Sequence, residues 1–86
     1  MYRVVTDSEV DAQVQALPDE LLSYYAQLLD LLELVPWNSE PYNEAKPGGV
    51  MRKILFGPPG RAAQAIFLVL DEDQRVEIVR ILWLHG

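Results

Sequence analysis

Apolar positions change period along the chain. Tyr2 to Thr6 (YRVVT) is β-branched and aromatic and predicts a short strand. Thr6 and Glu9 have capping-box spacing, so a helix is expected to start there. Val10, Val14 and Leu17 recur at i, i+4, i+7 and make one apolar stripe. Pro18 suits the first turn of a second helix, with Asp19 and Glu20 following where the helix dipole favours anions. Leu21, Leu22, Tyr25, Leu28, Leu29 and Leu32 form its apolar face, and Ser23, Gln27, Asp30 and Glu33 its wet face. Pro36 ends it.

Residues 36–49 (PWNSEPYNEAKPGG) hold three prolines and two glycines and read as a loop within one domain spanning 1–86. From Val50 the period falls to two. Val50 to Phe56 predicts a strand, GPPG at 57–60 a turn, and the nearly all-apolar Ala63 to Leu70 a central strand covered on both sides. DEDQ at 71–74 is a polar reversal before a last strand, Arg75 to Leu84. Three consecutive strands with short reversals make an antiparallel meander. The order β-α-α-β-β-β predicts an α+β domain: two N-terminal helices on one face of a mainly antiparallel four-stranded sheet. The other face is left partly open, as the place for a groove.

Composition narrows the function. The 86 residues contain no cysteine, which excludes a disulfide scaffold, a thiol nucleophile and thiolate zinc sites. One histidine cannot build a multi-histidine metal site. The longest uninterrupted apolar run, Ala65 to Leu70, is six residues, against about 20 for a membrane span. Arg3 and Asp7 near the N-terminus argue against a signal peptide, and a cytoplasmic location is expected. The charge is unevenly divided. Residues 1–45 carry one cation and nine acids, and residues 46–86 carry six cations and four acids, for a net −6. Lys46, Arg52, Lys53 and Arg61 fall in a segment without an acid. An acidic chain is a poor general binder of nucleic acid, but a local basic segment on an acidic body can still meet phosphate.

Several stretches carry a resemblance. Met51-Arg52-Lys53-Ile54-Leu55 looks like a basic second strand, and Gly60-Arg61 before Ala65-Ile66-Phe67-Leu68-Val69 like a glycine–arginine approach to a hydrophobic strand. Asp71 to Asp73 resembles an acidic turn, and Ile81-Leu82-Trp83-Leu84-His85 a last strand ending near a histidine. With the element order, these resemble the RelE/ParE superfamily of toxins from bacterial type II toxin–antitoxin modules. The resemblance implies a toxin held inactive by a small antitoxin protein, with either ribosome-bound mRNA or DNA gyrase as target, and no membrane partner. In the RNA-cutting case it implies metal-free and cofactor-free chemistry, in which a ribose 2′-hydroxyl attacks the adjacent phosphate. The alternative is a non-enzymatic binding protein, either a gyrase poison or a member retaining only its antitoxin-binding surface. The acidic net charge favours that alternative more than in typical members.

The residues expected to carry the chemistry follow. Arg61, Lys53 and His85 are the catalytic candidates: Arg61 to hold the scissile phosphate, His85 because its ordinary pKa lies near neutrality. Counting back from Asp71, the family's strand-start arginine falls near Gln64 or Ala65, so Arg61 needs a bulge to reach the groove. Arg52, Arg80, Lys46 and Trp83 are the nucleic-acid-binding candidates. Of Arg52 and Lys53 only one can face the groove, because side chains alternate along a strand. Arg80 alternates with Val76, Ile78, Leu82 and Leu84, so it is either buried and paired or a phosphate ligand in the groove. Glu44 is a possible general base, and Trp37, like Trp83, has a ring that can stack on bases.

Overall fold

The computed structural model describes residues 1–83. The chain forms β1 (Arg3–Val5), α1 (Ser8–Gln15), a 3-10 turn (Asp19–Leu21), α2 (Leu22–Leu34), β2 (Glu40–Pro41), β3 (Met51–Phe56), β4 (Ala63–Leu70), a second 3-10 turn (Asp71–Asp73) and β5 (Arg75–Trp83). The sheet has five strands in the order β1-β5-β4-β3-β2. β3, β4 and β5 make the expected antiparallel meander. Two features differ from the expected four-stranded antiparallel sheet. β1 pairs with β5 in parallel, Val4 opposite Val76, after both helices have crossed over. A two-residue fifth strand, Glu40–Pro41, lies inside the proline-rich loop and pairs with β3.

The helix starts are also shifted. Asp7, not Thr6, caps α1: its Oδ1 accepts the Val10 amide at 2.9 Å. Thr6 Oγ1 instead donates to Asp11 Oδ1 at 2.7 Å. Pro18 leads into the 3-10 turn, and α2 proper begins at Leu22, which is exposed and not part of the core face.

Both helices cover one face of the sheet. Val10 and Leu32, at zero exposure, meet Ala63, Ala65, Phe67, Val69 and Val76, also at zero, with Leu17, Leu21, Leu28, Ile78 and Ile81 filling the layer. The Tyr25 and Phe56 rings pack at 5.9 Å. β4 supplies every second residue to this core. The expected cover on both sides is not found: the helices cover only this face, and on the other side Gln64, Leu68 and Leu70 are partly exposed and only Ile66, at 6% exposure, is buried.

β5 does not keep one alternation throughout. Ile66 pairs with Arg80 and Phe67 with Ile78, leaving Val79 as an extra residue. This β-bulge moves every later side chain to the opposite face from the one that simple alternation gives. Val76 and Ile78 face the helices before it, and Ile81 faces them after it. Among the described residues the outer edge of β5 beyond β1 has no strand partner, and the Ile81 amide donates instead to Gln13 Oε1 of α1 at 2.7 Å. Among the described residues no helix is long and apolar enough to cross a membrane.

Candidate functional site

The open face is read from the ladders. Directly paired residues share a face, and neighbours along a strand do not. Arg52 pairs with Phe67, which is in the core, so Arg52 points to the helix side. Lys53 pairs with Ile66, which in turn pairs with Arg80. On the outer side Lys53 pairs with Glu40. Glu40, Lys53, Ile66 and Arg80 therefore form one row across four strands on the face away from the helices. Lys53 and Arg80 sit on strands two apart, a spacing of about 10 Å. Arg80 is exposed and Lys53 half-buried. Among the described residues neither side chain makes an ion pair or hydrogen bond.

The rows on either side are mixed. Leu55, Gln64 and Leu82 lie on one side. Met51, Leu68 and Glu77 lie on the other, where the Tyr42 amide donates to the Met51 carbonyl at 3.0 Å and so continues the β2 register. Beyond Met51, residues Tyr42, Asn43, Glu44, Lys46, Gly49 and Val50 line an open depression of about 820 Å³. Lys46 and Glu44 are thus in the loop flanking the row, not in the row itself.

The other sequence candidates are placed elsewhere. Arg52 is 5% exposed and donates to the carbonyls of Ser39 (2.6 Å) and Pro47 (2.8 Å) and to Ser39 Oγ (3.2 Å). Its guanidinium also lies 5.0 Å from the centre of the Trp37 ring. Those donors are occupied, so Arg52 is not available to a phosphate; it holds the loop. Arg61 does not enter the groove. It pairs with Glu20 of the first 3-10 turn, beyond the end of the sheet, because the 57–62 turn packs on that turn through Gly57 and Leu21. Arg80 is not buried: the bulge at Val79 turns it to the open face. Trp83 pairs with Ala63 and so sits on the helix side, on the face opposite Arg80. Trp37 donates its indole N–H to Asp71 at 2.9 Å. His85 lies outside the described residues.

Arg75, also on the open face, is engaged by Asp73 at 3.3 Å and Glu77 at 3.0 Å. Asp71 accepts from the Tyr2 hydroxyl at 2.6 Å as well as from Trp37. These bonds, Tyr2 first, hold the Asp71 carboxyl below the usual carboxylate range. The same bond to Asp71, with some burial, pushes the Tyr2 hydroxyl up. Among the described residues no three carboxylate or histidine side chains gather as a metal site.

Sequence reasoning missed Glu40. It lies in a stretch read as loop, and only its pairing with Lys53 brings it to the row. Pro41 next to it was a usable signal. Tyr42 and Met51 are a hydrogen-bonded pair, so Pro41 opposite Arg52 falls at a non-hydrogen-bonded position that needs no amide.

No protein-family model matches the chain, and no curated protein matches it. Solved structures do. The chain superposes on the isolated E. coli RelE toxin with a TM-score of 0.77 at 12% identity, over 100% of this chain and 87% of that one. It matches a chain of the intact E. coli RelBE toxin–antitoxin complex with a TM-score of 0.72 at 15% identity, over the whole of both chains. An archaeal RelE–RelB complex from Pyrococcus horikoshii gives 0.62 at 22% identity, over 95% and 93%. The chain has the RelE-like fold.

Proposed function

We propose that this chain is the toxin of a type II toxin–antitoxin module, acting in the bacterial cytoplasm as a metal-free endoribonuclease on ribosome-bound mRNA. The observation that carries the reading is the open-face row Glu40–Lys53–Ile66–Arg80, with two cations that have no partner among the described residues. A phosphodiester laid across Ile66 meets a cation on each side. Arg80, whose planar fork matches phosphate oxygens, stabilises the negative charge that builds on the non-bridging oxygens. Glu40 takes the proton of the 2′-hydroxyl as its oxygen bonds to phosphorus. The bond to the 5′-oxygen breaks, and Lys53 gives that oxygen a proton. The products are a 2′,3′-cyclic phosphate and a 5′-hydroxyl. The likeness to chains solved in RelE–RelB complexes supports a small antitoxin as the physiological partner.

A second reading is a binding protein without catalysis, directed at gyrase or only at an antitoxin. Arg52, Arg61 and Arg75 are engaged within the fold, which leaves few cations for RNA on a chain of net charge −6. The test is expression alone and with translating ribosomes, mapping mRNA 5′ ends. New ends within codons support cleavage. Growth arrest with intact message and gyrase-linked DNA breaks supports the second reading, and harmless expression overturns both toxin readings.

A further inference from the structure

Resting on the row just described, we infer that Arg52 is a positioning residue: it locks the two-residue strand β2 in register and so places Glu40 beside Lys53. A strand of two residues cannot hold itself. Its ladder supplies few hydrogen bonds, Pro41 has no amide to give, and the loop from Val35 to Val50 has much chain entropy to lose. Arg52 supplies what the ladder lacks. Its Nη2 donates to the carbonyl of Ser39, the residue immediately before Glu40, at 2.6 Å. Its Nη1 donates to the Pro47 carbonyl at 2.8 Å, so the same guanidinium grips both limbs of the loop. Nε donates to Ser39 Oγ, which itself donates to the Pro36 carbonyl at 2.7 Å. The Trp37 ring covers the guanidinium and is tied to Asp71 at the end of β4.

The geometry divides labour between adjacent residues of one strand. Arg52 faces the helix side and is spent on the loop. Lys53 faces the open side, opposite Glu40 in the ladder. The planar fork matters here: a lysine in its place carries the charge but cannot reach three acceptors in different directions.

The test is native-state amide exchange on the full chain, comparing wild type, Arg52→Met and Arg52→Lys. The Tyr42 amide, bonded to Met51, reports the β2 register, and the amides between β4 and β5 report global stability. Losing charged hydrogen bonds to the loop is expected to speed Tyr42 exchange at least ~10-fold more than exchange in the β4–β5 ladder. Arg52→Lys is expected to do the same by a smaller factor, and it decides the matter if Arg52→Met does not fold. Equal loss of protection at both places in a folded variant overturns the inference, because Arg52 is then only a stabiliser of the whole domain. RNA cleavage gives the second readout. A positioning role predicts that Arg52→Lys lowers the maximal rate toward that of Glu40→Gln and flattens the same limb of the pH–rate profile. An unchanged profile in a folded Arg52→Lys chain counts against it. If wild type cuts no RNA, the nuclease reading fails, and the exchange result still decides the register claim.

Discussion

Lys53 and Arg80 stand on either side of Ile66 in one row of the ladder, on the face of the sheet that the helices leave open. Arg80 is there because Val79 is an extra residue. Without the bulge, Arg80 would share the buried face of Val76 and Ile78.

Arg80→Ala and Lys53→Ala are expected to abolish growth inhibition with near wild-type melting. Among the described residues neither side chain has a partner to orphan, so a stability change of at most about 0.5 kcal/mol is expected. Loss of one group that stabilises charge in a transition state costs about 10²–10³ in rate. Toxicity assays with thermal melts of both variants check this. Full toxicity in Arg80→Ala would remove the phosphate from this row.

Arg61→Ala is expected to stay toxic. Its partner is Glu20, both side chains are about half exposed, and the pair lies beyond the end of the sheet. Exposed pairs contribute about 0–1 kcal/mol, so melting also shifts little. Loss of toxicity in a chain that melts like wild type would place the active groove beside the 57–62 turn.

Much of the fold was legible because period and position agree. Val10, Leu17, Leu28 and Leu32 are buried as the helical stripes require, and 63–70 is central in the sheet as its composition implies, though covered on one side only. The site was less legible, for physical reasons that can be named. Val76 to Trp83 has no glycine or proline to mark a bulge, and the one local sign is that its two charged residues, Glu77 and Arg80, stand three apart where strict alternation would put them on opposite faces. Arg52 and Lys53 are adjacent cations, and the one that faces inward is held by carbonyls of Ser39 and Pro47, in a loop that precedes the strand and has no regular pattern to show where its carbonyls point. The strand at Glu40 exists through that docking, not through the β-propensity of Glu or Pro. Arg61 follows a glycine turn whose direction is set by packing on Leu21, 40 residues earlier.

Arg52→Ala is expected to destabilise the domain by about 2–4 kcal/mol. It strips the donors from Ser39 and Pro47 and leaves a hole beside Trp37. Denaturant melts measure it. A loss below about 1 kcal/mol would mean that water replaces the guanidinium without cost.

Gly57→Ala is expected to be worse than Gly60→Ala. Both glycines have positive φ, +119° and +80°, so each substitution is strained. A Cβ at Gly57 would also meet Leu21 Cδ2 at 2.7 Å and Ala62 Cα at 3.2 Å, whereas at Gly60 it meets open space. About 1 kcal/mol is expected at Gly60, and roughly 2–4 kcal/mol at Gly57, where Leu21 must also shift. Equal melting of the two variants would contradict the close packing of this turn.

Asp71 and Tyr2 should give the stability a recognisable dependence on pH. The folded Asp71 carboxyl sits below its ordinary value because Tyr2, and then Trp37, donate to it. Its contribution is therefore present above the unfolded carboxylate pKa of about 4 and is lost as pH falls through the folded value. Tyr2 behaves in the opposite sense. Its hydroxyl is raised by the bond to Asp71, by partial burial and by the carboxylate charge. Its contribution is present below the unfolded phenol pKa of about 10 and is lost as pH rises through the folded value. Asp71→Asn keeps an oxygen that can accept but removes the charge, so it should reduce the pH dependence at both ends. The measurement is the melting temperature of wild type and Asp71→Asn from pH 2 to 11. The two curves are expected to differ most at neutral pH and to converge at the acid end. Parallel curves across the whole range would show that the carboxylate does not bind these donors in solution, and that Trp37, the lid on Arg52, is held by something else.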